Sequence, residues 1–127
     1  MIRSRGLFKI KMTNKQIREW YKEQVDQIPL LNEDWVKKGI SPWDRAEKAW
    51  KIRHDARLSA REMMEDPIEV ELLRNRDMKK YGNREGPTFD YLVEKAIRDG
   101  LRGDKICEEI INESSSTNRE VDRKFTR

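Results

Sequence analysis

The sequence predicts an all-α protein, a compact single-domain bundle of about six or seven helices. Three observations carry this expectation. Apolar residues recur at helical spacing along most of the chain. Caps of Ser, Thr or Asp and terminating glycines punctuate it at helix-length intervals. Its 127 residues, with no internal repeat or linker, have the length of one domain. Hydrophobic residues are 35% and charged residues 41% of the chain. That balance suits a disordered chain unless the apolar residues are gathered, and here they are, four tryptophans among them.

The elements follow in order. Residues 1–12 read as a basic N-terminal segment and 13–127 as the helical domain. Leu7, Phe8, Ile10 and Met12 alternate in part with lysines, which fits a short strand or an ordered tail. Thr13 with Gln16 makes a capping box. Ile17, Trp20, Tyr21, Gln24, Val25 and Ile28 then share one face of a first helix over about 14–27, which Pro29 ends. A second, about 30–38, is apolar through Leu30, Leu31 and Trp35 and closes on Gly39. Ser41 and Pro42 open a third that runs to about Glu65, and Asp66, Pro67 and Glu69 start a fourth that ends near Tyr81. Residues 82–87 form a loop. Thr88 caps a fifth helix through Asp99, Asp104 to about Glu113 is a sixth, and Thr117 with Glu120 marks a terminal seventh.

Composition narrows the function classes. Residues 1–22 carry seven Lys or Arg against Glu19 alone, and the whole chain is +4. Such an end attracts phosphate backbones, acidic proteins or anionic lipid, or is a solvated tail. Cys107 is the one cysteine, set between Ile106 and Ile110, so no disulfide or thiolate metal site is expected and Cys107 reads as core. No apolar run reaches the roughly 18 residues of a membrane span, and the first residues lack the apolar stretch of a signal peptide. There is no HExxH, Walker or GxSxG motif and no paired metal-ligand set, which favours chemistry without a metal or cofactor.

The third helix holds an anomaly. Ala46, Ala49, Ile52, Ala56, Ala60, Met63 and Met64 gather on one arc, yet Arg53 lies inside it, Arg57 lies between Trp50 and Met64, and Arg61 and His54 occupy its edge. An unpaired guanidinium in a dry core costs several kcal/mol and cannot escape by losing its proton. Arg53 therefore either pairs with Asp77 or Glu71 of the fourth helix or lines a cleft that receives a ligand. His54, the only histidine, is the side chain suited to proton transfer near neutrality. Beside three guanidiniums, it fits an anionic substrate such as a phosphodiester, and the cations push it toward its neutral form. Tyr81, Asn83 and Thr88, and Ser116, Thr117 and Asn118, are further candidates for phosphate or base contacts; they equally suit helix connections and caps.

These residues resemble a known group. Lys11-Met12-Thr13 opens a helix bearing Trp20-Tyr21. Ile52-Arg53-His54-Asp55-Ala56-Arg57 is followed by Ala60-Arg61-Glu62-Met63-Met64, and Arg76-Asp77 precedes Lys80-Tyr81-Gly82-Asn83. Gly86-Pro87-Thr88-Phe89, Gly103-Asp104, Ile110-Ile111 and Ser116-Thr117-Asn118 complete the pattern. The pattern resembles the C-terminal toxin modules of bacterial polymorphic toxins, of the YD-repeat, contact-dependent-inhibition and LXG kinds, over most of the chain from Lys11 onward. Where such modules carry Pro-Asp, this chain has Arg84-Glu85, which leaves the role of that carboxylate open.

The resemblance implies a domain delivered as the C-terminal part of a larger carrier, acting in the target-cell cytoplasm and held harmless at home by a cognate immunity protein. Many such modules are nucleases. The expectation is a metal-independent ribonuclease directed at RNA, with transfer RNA as a candidate substrate. His54, Arg53, Arg57 and Asp77 would form the catalytic group, with Asp77 orienting an arginine or the histidine. Arg61, Tyr81, Asn83, Thr88, Ser116, Thr117 and Asn118 would bind substrate. Two alternatives stay open: a toxin that modifies a nucleotide or a protein, and a non-enzymatic helical binding module or immunity-like adaptor whose arginines are structural. An antidote to a basic nuclease is usually acidic, which weighs against the adaptor.

Overall fold

A computed structural model describes residues 12–116, and these are all-helical, with six helices and no strand among them. They are α1 (Asn14–Asp26), α2 (Ile28–Lys37), α3 (Pro42–Met63), α4 (Pro67–Tyr81), α5 (Phe89–Arg98) and α6 (Asp104–Ser114). The expected N-terminal strand over 7–12 and the seventh helix from Thr117 lie outside the described residues, except Met12, which is not in a strand.

The caps account for the boundaries. Thr13 and Gln16 close a reciprocal capping box on α1. The side chains of Ser41, Asp66 and Thr88 each accept a first-turn backbone N–H of α3, α4 and α5. Helix α2 starts two residues earlier than its sequence pattern suggests, because Pro29 lies in its first turn, where a missing N–H costs nothing. Ile28 thereby enters the core, fully buried, and Leu30 faces solvent.

The 22-residue α3 is about 33 Å long and serves as the axis of the fold. Helix α6 packs along it, α1 lies against another side, α2 crosses near its start and α5 backs α6. Buried Ala46 and Ala49 thin the α3 surface so that Ile106, Cys107, Ile110 and Ile111 of α6 approach closely, with Val25, Ile28, Leu92 and Ala96 filling around them. Burial raises the pKa of Cys107 and keeps it an inert thiol, as a core position requires.

Helix α4 is the exception to this packing. It buries only Val70 and Asp77, and its Ile68 and Leu72 are 69% and 62% exposed. It stands off α1 and α3 and leaves a cleft among the three.

Candidate anion cleft and the histidine cavity

Arg53, Arg57 and Arg61 of α3 stand one turn apart, and each has a different role. Arg53 Nε donates to the Tyr21 hydroxyl at 3.0 Å, and its Nη1 donates to the carbonyl of Glu113 in the last turn of α6. That carbonyl also accepts from the Ser116 hydroxyl at 3.1 Å. A helix C-terminus leaves carbonyls without partners and carries partial negative charge, so a guanidinium there both bonds and neutralises it. Arg53 thus fastens α6 to α3, and the expected pairing of Arg53 with Asp77 or Glu71 does not occur. Glu71 instead accepts from Arg74 and Arg84, which hold its carboxyl below the usual range.

Asp77 belongs to Arg61. Arg61 Nη2 donates to Asp77 Oδ2, both side chains being almost wholly buried, at 6% and 1% exposure. Arg76 donates to the other oxygen at 3.1 and 3.2 Å, and Arg61 Nη1 donates to the Arg84 carbonyl at 2.8 Å. Both carboxylate oxygens of Asp77 are engaged by arginines, Arg61 and Arg76. Arg61 is thereby committed to joining α3, α4 and the following loop rather than to a substrate.

Arg57, between them, makes no hydrogen bond or ion pair with any described residue, and its guanidinium faces the cleft. Burial lowers its pKa from the ordinary value, with Arg53 and Arg61 acting in the same direction and Tyr21 and Asp77 opposing. Arginine nonetheless stays charged, so Arg57 is a desolvated cation that no carboxylate of the described residues bonds directly. One face of the guanidinium is covered by Gly86. A Cβ built on that residue would sit 2.5 Å from Arg57 Nη1 and 2.7 Å from its Cζ. The backbone there has φ +95°, a conformation glycine alone adopts freely.

The cleft encloses about 800 Å³. Eight Lys or Arg and three acidic residues line it, and Ala60, Met64, Leu72 and Leu73 supply apolar surface. Tyr81 also lines it, its ring edge-to-face with Tyr91 at 5.3 Å.

His54 lies elsewhere. Projected at about 100° per residue, Arg57, Trp50 and Arg61 fall between Arg53 and His54 on α3. Residues 82–88 are fastened over that strip by the Arg61–Arg84 bond, by the Gly86 contact and by Trp50 Nε1, which donates to the Pro87 carbonyl at 2.9 Å. His54 therefore opens into a second cavity of about 440 Å³, which shares no lining residue with the cleft. It stacks on Trp50 at 4.7 Å with 16° between the ring planes. Its Nδ1 is buried without a partner, so Nε2 is the nitrogen open to a reactant. Asn83, Glu85 and Thr88 share this cavity, together with Glu47 and Asp90, which the sequence reading did not single out. Asn83 is partly committed: its Oδ1 accepts the Glu85 N–H at 2.8 Å in an Asx turn. Thr88 caps α5.

No known protein family matches this chain, and neither a curated protein nor a solved structure shows significant similarity to it. The chemistry rests on the residues alone. Among the sequence-derived candidates, Arg53, Arg57, Arg61, Asp77 and Tyr81 come together at the cleft, and His54, Asn83 and Thr88 at the second cavity. Ser116 lines neither, and Thr117 and Asn118 lie outside the described residues. Among the described residues there is no group of three or more His, Cys, Asp or Glu fit to hold a metal ion, and no helix long and apolar enough to cross a membrane. Tyr21 was missed as a site residue. Its signal was a hydroxyl on the packing face of α1, which demands a partner.

Burial, then the nearby Arg57, lowers the pKa of His54 below its ordinary 6.5. The unfolded chain therefore takes up this proton first as pH falls. The contribution of His54 to stability is complete above about pH 6.5 and declines below it, until the folded ring is protonated too. Thermal melts from about pH 7.5 to 5.5 should show the wild type losing more stability than His54→Phe, which keeps the stack and cannot titrate. Parallel curves would contradict it.

Proposed function

We propose that this chain binds RNA in the basic cleft, as the substrate-holding part of a toxin domain that a larger carrier delivers into a target cell's cytoplasm. The observation that carries the binding step is Arg57, a largely desolvated guanidinium that no carboxylate of the described residues bonds directly. A phosphate is the ligand it fits, since guanidinium and phosphate pair through two parallel charge-assisted bonds. The surrounding positive charge draws in a polyanion, and an RNA strand satisfies both charge and the aromatic lining. The toxin setting rests on the resemblance of motifs, and a cationic cleft suits an acidic immunity protein as its antagonist.

The test is fluorescence anisotropy of an RNA oligonucleotide at several salt concentrations. Arg57→Gln is expected to weaken binding about tenfold and to reduce the salt slope by about one. Its melting temperature should hold or rise, because an uncompensated buried cation is removed. Unchanged affinity in this variant would defeat the proposal.

A second reading adds strand cleavage, favoured by His54 and Glu85 opening into one cavity. A neutral His54 would accept the proton of a ribose 2′-hydroxyl as its oxygen attacks phosphorus. The departing 5′-oxygen would take its proton from water. The three carboxylates around His54 oppose a phosphate there, which ranks binding ahead of cutting. RNA fragments produced by the wild type and absent with His54→Ala, at equal RNA affinity, would establish cleavage.

A further inference from the structure

We infer that the cleft holds an unpaired nucleotide, its phosphate on Arg57 and the Tyr21 hydroxyl and its base against the wall formed by Met64, Leu72 and Leu73. This rests on the RNA-binding reading above and specifies which form of RNA enters.

Tyr21 is set up as a donor. Its oxygen accepts from Arg53 Nε at 3.0 Å, which directs its own proton away from Arg53. That proton meets no acceptor among the described residues, and Tyr21 lines the same cleft as Arg57. A hydroxyl whose oxygen already accepts a charge-assisted bond is a stronger donor, because linked hydrogen bonds polarise one another. Arg53 is held in turn by the Glu113 carbonyl, so the Tyr21 oxygen is positioned from behind. Two donors of different kind, one charged and one neutral, then converge on one anion.

Beside its charged residues, the opposite side of the cleft carries an apolar strip of Met64, Leu72 and Leu73. Leu72 is 62% exposed, and Leu73 and Met64 are half-buried on the same cleft. Apolar surface beside so many cations stays wet unless a flat apolar group covers it. A nucleobase is such a group, and a base meets a protein wall through its face only when it is unpaired. A double helix turns phosphate and sugar outward and keeps its bases stacked within. A volume of about 800 Å³ falls in the range of roughly 300–1,000 Å³ typical of small-ligand sites. It takes a nucleotide and its neighbours but cannot surround a duplex.

The test titrates the full chain with three probes at one salt concentration: a short unpaired oligouridylate, a blunt RNA duplex, and inorganic polyphosphate of matching charge. The oligouridylate is expected to bind about tenfold tighter than either of the others. Tyr21→Phe should lose about tenfold on the oligouridylate with the salt slope unchanged, the effect of one hydrogen bond to a charged group. Arg57→Gln should reduce the slope instead. Leu72→Gln, at an exposed position that costs the fold little, should weaken the oligouridylate and leave polyphosphate unaffected. Equal affinity for all three probes, or a Tyr21→Phe variant that binds like the wild type, overturns the unpaired-nucleotide inference and leaves phosphate binding standing. If none of the probes binds, the RNA-binding reading falls and takes this inference with it.

Discussion

Asp77→Ala is expected to destabilise the protein by about 3–5 kcal/mol, the usual effect of leaving one member of a buried ion pair without its partner. Arg61 would remain buried at 6% side-chain exposure with its charge uncompensated. Against a total stability of roughly 5–15 kcal/mol for a domain, this is a large fraction, and the melting temperature should fall by on the order of 10 °C or more. The double substitution Arg61→Met, Asp77→Leu separates pairing from packing. An apolar pair of similar volume recovers most of the loss, because neither charge then has to be desolvated. Calorimetry or chemical denaturation of the three proteins checks this. A double variant as unstable as Asp77→Ala would show that something other than the stranded charge is responsible.

Gly86→Ala is expected to abolish tight RNA binding although Arg57 is still present. The added Cβ would lie 2.5 Å from Arg57 Nη1, so the guanidinium must leave its place. The end of a long side chain moves at little cost, and the loss of stability should come mainly from the backbone. At φ +95°, an alanine is strained by about 1–2 kcal/mol. The melting temperature then drops by several degrees, well short of unfolding. Binding should fall by about tenfold or more, as in Arg57→Gln, because the same anion contact is lost. Wild-type affinity in a folded Gly86→Ala protein would show that the position of Arg57 against the loop does not matter for the ligand.

The helices were legible because their signals are local. Thr13, Ser41, Asp66 and Thr88 each act as the cap that their type and position predict. Ala46, Ala49 and Ala56 mark a buried stripe by spacing alone. The presence of cations on that stripe was legible too. Their division of labour was not, since it depends on which carbonyls and carboxylates the fold brings to each. Arg53 meets the end of a helix 60 residues away, and Arg61 meets Asp77 because α4 turns back at residues 64–66. The separation of His54 from the arginines follows from the path of residues 82–88 across α3, where Pro87 supplies an acceptor to Trp50 and Gly86 makes room for Arg57. No periodicity on one helix encodes what a distant loop lays over it. The loose seating of α4 was equally hidden, with Ile68 and Leu72 facing water.

The unequal commitment of the three arginines also bears on how such a protein can change. Substitution at 53 or 61 disturbs helix docking, so selection for a folded chain restricts those positions whatever the ligand. Position 57 carries no such duty, and a lysine, glutamine or histidine there would re-tune the cleft without repacking the bundle. Specificity is then concentrated at one residue whose variation the scaffold tolerates, and lineages sharing this architecture could diverge in what they capture while keeping the same core.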